Sequence, residues 1–475
     1  MISRKKPQLS LRNVGIMLLL LSSCLASVSH AQLNEAVIEP QGGSEQATPE
    51  GDVYTLEEAL AQVTERAPTV AIAQSEVEAA VLRRLAVRME RVPEFRVRAG
   101  LGPGPRDVDP TEGEELRYFQ GVTIAGVAGM RLPITTFGKI QTGTELAEAG
   151  IELERVEEKS TRLEARYQAF RAYLAAQWAR DARELLDDAQ TRVDEAEESL
   201  LDKMDEGDYT VRNDLRQIDM LRADLLSMRN EVDRSGFLAR TGLRIVLDVG
   251  EDTPLEPFDQ TVEELTPPSF EEVFRVAKAN RPELERVEIG VRARELELQL
   301  EKKRALPDVF FAAVGEVTWT PTLDGRPTIS EEANNFNELS GILALGIRWE
   351  LNPGVHRARV RRLEQRAETM RITQDAAEDS ARLDIREAYL RAVHAHEFVA
   401  AAKRAKRSAE AWLNQTGFQF EQGLADFEEF EDPLKAYYER TAAYLRAVLT
   451  YRLRVANLAV KCGVDDLRNW PGMSE

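Results

Sequence analysis

Apolar and polar positions along this chain follow two different periods. In Phe95-Arg96-Val97-Arg98-Ala99-Gly100-Leu101 the odd positions are apolar or small and the even ones polar or glycine, a period of two that puts one oily and one wet face on a strand. Val122 to Leu132 alternates likewise, as do Val309, Phe311, Ala313, Val317 and Trp319, and then Leu343, Leu345, Ile347, Trp349 and Leu351. These spacings predict four strands of roughly ten residues, the length that crosses a bilayer at a tilt. A soluble half-buried sheet alternates in the same way, so periodicity alone leaves both readings open. Polar connections, Pro103 to Arg117 and Pro321 to Ser340, join the strands in pairs.

Beyond each strand pair the period becomes helical. Neither glycine nor proline occurs from Ile151 to Glu206 or from Val355 to Thr416. The second stretch, if wholly helical, spans about 90 Å at ~1.5 Å per residue. Leu163, Tyr167, Phe170, Leu174, Trp178, Ala182 and Leu185 advance by steps of four and three, a narrow packing stripe. Each long helix is predicted to end near Gly207 or Gly423, with a returning helix from about Asn213 and from Glu429 or Asp432, so that each glycine marks the turn of an antiparallel hairpin.

The chain also repeats itself. Thr55-Leu56-Glu57-Glu58 answers Ser269-Phe270-Glu271-Glu272, Pro68 answers Pro282 and Pro93 answers Pro307, all at a spacing of 214, while Ala172-Tyr173-Leu174 answers Ala388-Tyr389-Leu390 and Gly207 answers Gly423 at 216. Register held over that distance reads as a tandem duplication. The copies run over 53–252 and 269–467, separated by a Pro-rich joint at 253–268 and followed by a tail at 468–475. In each copy Thr55 or Ser269 caps a first helix and Pro68 or Pro282 breaks it from a second.

Composition narrows the setting. Charged residues make up 30% and aromatics 7%, a balance that suits long solvated helices. A net charge of −20 excludes nucleic acid as the natural partner, since phosphate needs an excess of Lys and Arg. Residues 1–31 hold Arg4, Lys5, Lys6 and Arg12 before an apolar core from Ile16 to Leu21, which reads as an export signal. Cleavage after Ala31 removes four positive charges and leaves a net −24; a lipoprotein box ending at Cys24 would instead acylate that cysteine. Residues 32–52 read as a mobile arm. No later stretch is apolar enough for a spanning helix, so any crossing of a membrane is by strands.

Candidate chemistry is sparse. After the signal only His356, His394 and His396 remain as histidines and Cys462 as the cysteine, without metal-ligand spacing, and no phosphate loop or nucleophile elbow is present. Cys462 reads as a buried small apolar residue. The cluster Glu428, Glu429, Glu431 and Asp432 could supply a carboxylate pair for glycoside hydrolysis, but no cleft accompanies it. Neither catalysis nor a cofactor is expected.

Together, the repeat, the opening Thr55-Leu56-Glu57-Glu58-Ala59, Leu132-Pro133-Ile134 with Phe137-Gly138, Gly354-Val355-His356-Arg357-Ala358-Arg359-Val360, and Phe420-Glu421-Gln422-Gly423 resemble the TolC-like outer membrane efflux protein family from Val53 to Gly463. The resemblance implies a mostly α fold with a membrane β-sheet. Each repeat gives two strands and long antiparallel helices, and three chains form a 12-stranded β-barrel continued by a periplasmic α-barrel. It further implies a passive exit duct in the cell outer membrane, bedded in outer-membrane lipid and served by a periplasmic adaptor protein and an inner-membrane transporter. An acidic ring at the periplasmic entrance maps onto Glu429 and Asp432. Both also suit a helix start, where acids complement the dipole. Ala425, where some members carry an arginine that locks the closed state, and Pro433 depart from the pattern. In the first copy the matching positions are Asn213 and Arg216, with Asp214 adjacent. The rival reading is a soluble periplasmic coiled-coil scaffold.

Overall fold

A computed structural model describes residues 55–106, 117–206, 209–250, 268–321, 337–422 and 424–464. The signal with Cys24, the arm, nearly all of the joint, the tail, and both Gly207 and Gly423 lie outside the described residues.

The chain opens with α1 (Leu56–Arg66), where Thr55 and Glu58 close a capping box. The Thr55 hydroxyl accepts from the Glu58 N–H, and the Glu58 carboxylate accepts from the Thr55 N–H. Pro68 is the first residue of α2 (Pro68–Met89), where its missing N–H costs nothing. Two strands follow, β1 (Glu94–Arg106) and β2 (Arg117–Thr135), then α3 (Lys139–Asp205), a short 3-10 turn (Tyr209–Val211) and α4 (Arg212–Leu247). The same order of elements recurs as α5 (Phe270–Asn280), α6 (Pro282–Arg304), β3 (Asp308–Trp319), β4 (Glu338–Arg348), α7 (Pro353–Glu421) and α8 (Phe427–Lys461). One cap differs: the Ser269 hydroxyl bonds the Glu272 carboxylate at 3.0 Å and makes no backbone cap.

The strands form one antiparallel sheet in the order β1-β2-β3-β4. Its register aligns the apolar positions. Phe95, Met130, Ala313 and Leu343 stand in one row across the four strands, and Leu101, Ile124 and Trp319 in another. This oily face is bare: Val97, Leu101, Leu343, Leu345 and Ile347 are each exposed by two thirds or more. A soluble sheet would pack helices over such a face.

Strands and helices both overrun the predicted bounds. β1 continues through Pro103 to Arg106 and β2 starts at Arg117, because an edge strand tolerates proline where no neighbour needs its N–H. β4 starts earlier, at Glu338, and stops at Arg348, short of Leu351. α3 has 67 residues and α7 has 69, each about 100 Å long at ~1.5 Å per residue. Both run through glycine. A Cβ on Gly143 would stand 3.2 Å from Val87 Cγ1, so there the glycine lets α2 approach α3 closely.

The helices also lie side by side as a layer. Near the sheet their order is α2-α3-α6-α7; farther away α4 and α8 replace α2 and α6, giving α4-α3-α8-α7. With neighbours on both sides, α3 buries a broader band than the predicted stripe. Ala165, Ala169, Tyr173, Ala176, Ala179 and Ala189 are buried beside Leu163, Leu174 and Ala182, and the small side chains let the helices pack closely. Mid-length, α1 packs on α3 and α4 through Val63, Leu174 and Leu247, while α5 packs on α7 and α8 through Val273, Ile385 and Leu458. Each such buried aliphatic contributes about 1.5–3 kcal/mol relative to exposure. Cys462 is fully buried in the second of these cores, where burial pushes its thiol up to about 12.

Candidate functional site at the hairpin tips

Farthest from the sheet, the ends of all four long helices share one apolar core. Leu200 of α3, Ile218 of α4, Leu413 and Phe420 of α7, and Phe427 and Leu434 of α8 are buried together. Phe420 stacks on Phe430 with centroids 4.9 Å apart, and Phe427 meets Phe420 edge-on at 6.3 Å. Lys203 Nζ lies 5.0 Å over the Phe420 ring, so the end of α3 also caps this cluster.

The acidic residues take the opposite side. α8 starts at Phe427, two residues before the first predicted start, with Asp426 at the cap position. Phe427, Phe430 and Leu434 recur at steps of three and four and face inward, so Glu428, Glu429 and Asp432 fall on the exposed side. Glu429 and Asp432, three apart, are neighbours on that face. Glu431 is half-buried and ion-paired to Lys435. Asp426 makes no side-chain cap bond, which leaves Glu428 and Glu429 as first-turn acids at the positive end of the helix dipole.

Ala425 and Pro433, the two departures from the family pattern, are both buried. Ala425 belongs to the apolar core, a place where an arginine would be desolvated without a partner. Pro433 sits in the second turn of α8 and cannot donate to the Glu429 carbonyl, as a helical residue there otherwise would.

The tip between α3 and α4 is built differently. Arg216 Nη1 donates to Asn213 Oδ1 at 3.1 Å on an exposed face, so the matching positions present a bonded amide and guanidinium. At these positions, among the described residues, the tip between α7 and α8 presents two carboxylates and the other tip none.

Farther along the hairpins, the Tyr438 hydroxyl of α8 donates to Asp188 Oδ2 of α3 at 2.6 Å, and Arg192 lies 3.6 Å from the same oxygen. Burial and then the carboxylate push the Tyr438 phenol up. No sequence pattern announces this strap, whose ends are 250 residues apart. Of the histidines, His394 is exposed and His396 packs on Tyr451 at 5.3 Å; His356 Nδ1 lies 3.7 Å from buried Glu301. Among the described residues no three His, Cys, Asp or Glu side chains gather as a metal site, and no helix is long and apolar enough to cross a membrane.

Residues 273–463 match the outer membrane efflux protein family. No curated protein matches the chain by sequence. In fold the chain resembles the open-state MtrE outer membrane channel of Neisseria gonorrhoeae, with a TM-score of 0.67, 17% identity, and 86% of this chain and 89% of that one covered. It also resembles the CmeC outer membrane channel of Campylobacter jejuni, with a TM-score of 0.68, 13% identity, and 86% and 85% covered. The outer membrane protein VceC of Vibrio cholerae shares the fold with a TM-score of 0.66, 14% identity, and 86% and 96% covered.

Proposed function

We propose that this chain, whose residues 273–463 match the outer membrane efflux protein family and whose fold resembles that of outer-membrane channels, forms a passive exit duct in the outer membrane. The carrying observation is a four-stranded sheet with a bare apolar face and two unpaired edges, β1 and β4. Four strands cannot close, since eight is the practical minimum, and three copies supply twelve. The helical layer is open in the same sense. α4 exposes Met220, Leu226 and Phe237 at one edge, and α7 exposes Leu383, Phe398 and Trp412 at the other. Joining edge to edge continues the strand ring as a helical tube and covers those side chains.

In this reading the two copies, 53–252 and 269–467, are products of one tandem duplication, with turns at Gly207 and Gly423. Glu429 and Asp432 of three protomers line the periplasmic mouth as an acidic ring that concentrates cations. The first copy's Asn213 and Arg216 add no acid to it. A periplasmic adaptor docks on the helical tube, and an inner-membrane transporter supplies the cargo and the energy.

Reconstitution in a planar bilayer tests the reading. Heat-modifiable trimers are expected to conduct ions with a cation preference, and the E429A/D432A variant to lose that preference while still conducting. Inserted trimers without conductance would refute the duct; unchanged selectivity in the variant would refute the acidic ring alone.

A further inference from the structure

We infer that the first turns of α7 are a binding surface for anionic phospholipid headgroups at the membrane face nearest the helices, an inference that rests on the duct reading. β1 begins at Glu94, β2 ends at Thr135, β3 begins at Asp308 and β4 ends at Arg348, so all four strands meet the helices at one level. Most cations there are satisfied. Lys139 and Arg348 bond Asp308 at 2.8 and 2.9 Å, and Arg131 bonds Glu94 at 2.7 Å.

Arg357 with Arg361 and Arg359 with Arg362, each pair on its own side of α7 at helical spacing, form the largest group that is not, and Arg88 and Arg91 at the end of α2 are exposed as well. All four on α7 are exposed, and none has a carboxylate within 4.0 Å among the described residues. The nearest acid along α7, Glu364, is engaged by Lys302 at 3.4 Å. Four guanidinium groups at the positive end of a helix dipole oppose that dipole and one another, so fold stability does not account for them. Nor does the architecture demand them. The first copy opens its long helix with Lys139-Ile140-Gln141-Thr142-Gly143-Thr144, whose one cation is already bonded to Asp308. Ring closure would not neutralise them either. It brings up the end of the next copy's α2, where Arg88 and Arg91 outnumber the one acid, Glu90.

What precedes the arginines indicates the ligand. Leu343, Leu345 and Ile347 expose the apolar face of β4, and Trp349 follows, its indole N–H donating to the Ala305 carbonyl at 2.9 Å. Hydrocarbon-facing side chains, then an anchored Trp, then arginines within about 15 Å of helix match the layers of a bilayer from its core to its headgroups. Phosphodiester headgroups bring the negative charge the arginines lack and suit the guanidinium fork.

The test uses detergent-purified trimers offered equal phosphatidylglycerol and phosphatidylethanolamine, with retained lipid counted by native mass spectrometry. Wild type is expected to prefer phosphatidylglycerol. Replacing the four arginines by R357Q/R359Q/R361Q/R362Q is expected to cut that preference tenfold or more, given a several-fold contribution per arginine near an anionic surface. The control R404Q/R407Q, farther down the same helix, is expected to keep it. Salt gives a check without mutation: raising ionic strength from about 50 to about 500 mM should erase the wild-type preference. Conducting trimers that retain the two lipids equally would overturn the lipid site alone. A protein that never inserts would overturn the duct and this inference with it.

Discussion

At the scale of single residues, acidic and apolar side chains occupy different faces of the same tip. Glu429 and Asp432 were singled out in the sequence by the resemblance, while their separation from Phe427 and Phe430 follows from helical spacing once α8 starts at Phe427. The strap from Tyr438 to Asp188 was not legible, since a pairing across two hairpins leaves no local pattern. Its hydrogen bond to a carboxylate is partly exposed, so Tyr438→Phe is expected to cost about 1 kcal/mol. Thermal dissociation of the trimer would show this as a lower midpoint; an unchanged midpoint would mean the strap contributes nothing. Cys462 gives a sharper readout. Its thiol, raised to about 12, should resist iodoacetamide at pH 8 in the native protein and react once denatured. The sign of the linked stability follows. A raised folded value favours the fold fully below the unfolded thiol's value of about 8.5, and that advantage is lost as pH rises toward 12. Tyr438, also raised, adds a loss of the same sign above about 10. Stability should therefore be flat near neutrality and fall on the alkaline side, as a pH series of melting curves would reveal.

At the scale of elements, the strand faces, the Thr55 cap and the far ends of the long helices, at Asp205 and Glu421, were readable, whereas the Ser269 cap was not. Alternation at Leu343, Leu345 and Ile347 fixes which side of β4 is oily, and the register carries that side across the sheet. The glycine-free stretches understate the helix lengths: Gly143 and Gly417 lie inside helices, because a long helix held on several sides absorbs a glycine worth about 1 kcal/mol of propensity. Gly463 does terminate one. It follows α8 with φ of 74°, and a Cβ there would sit 2.2 Å from the Asn280 carbonyl oxygen, at the elbow between α5 and α6. Gly463→Ala therefore meets both a left-handed backbone and a clash with main chain. About 1–2 kcal/mol from the first and 1–3 from the second should lower the melting midpoint by several degrees. A melting curve matching wild type would show that the elbow yields.

At the scale of the molecule, the described residues leave the sheet and the helical layer open at two opposite edges. The sheet ends in β1 on one side and β4 on the other, and the helical layer ends in α4 and α7 near the tips. An exposed strand edge invites pairing, and soluble proteins blunt it; here two such edges flank a bare apolar face. Neither edge was visible in the sequence, because strand order depends on which hairpin lies beside which. Closure by copies of the chain makes a geometric prediction. Within one chain β1 and β4 are separated by three strand spacings, about 14 Å, too far for a disulfide, whose Cα atoms stand roughly 4.4–6.8 Å apart. Between copies, edge pairing brings the same strands to about 5 Å. A cysteine at Ala99 of β1, combined in turn with one at each position from 342 to 346 of β4, should therefore cross-link only between chains. At the correct register oxidised membranes would yield a covalent trimer on a denaturing gel, reducible to monomer. Absence of any intermolecular product across the whole scan would refute the edge pairing, and the twelve-stranded barrel with it.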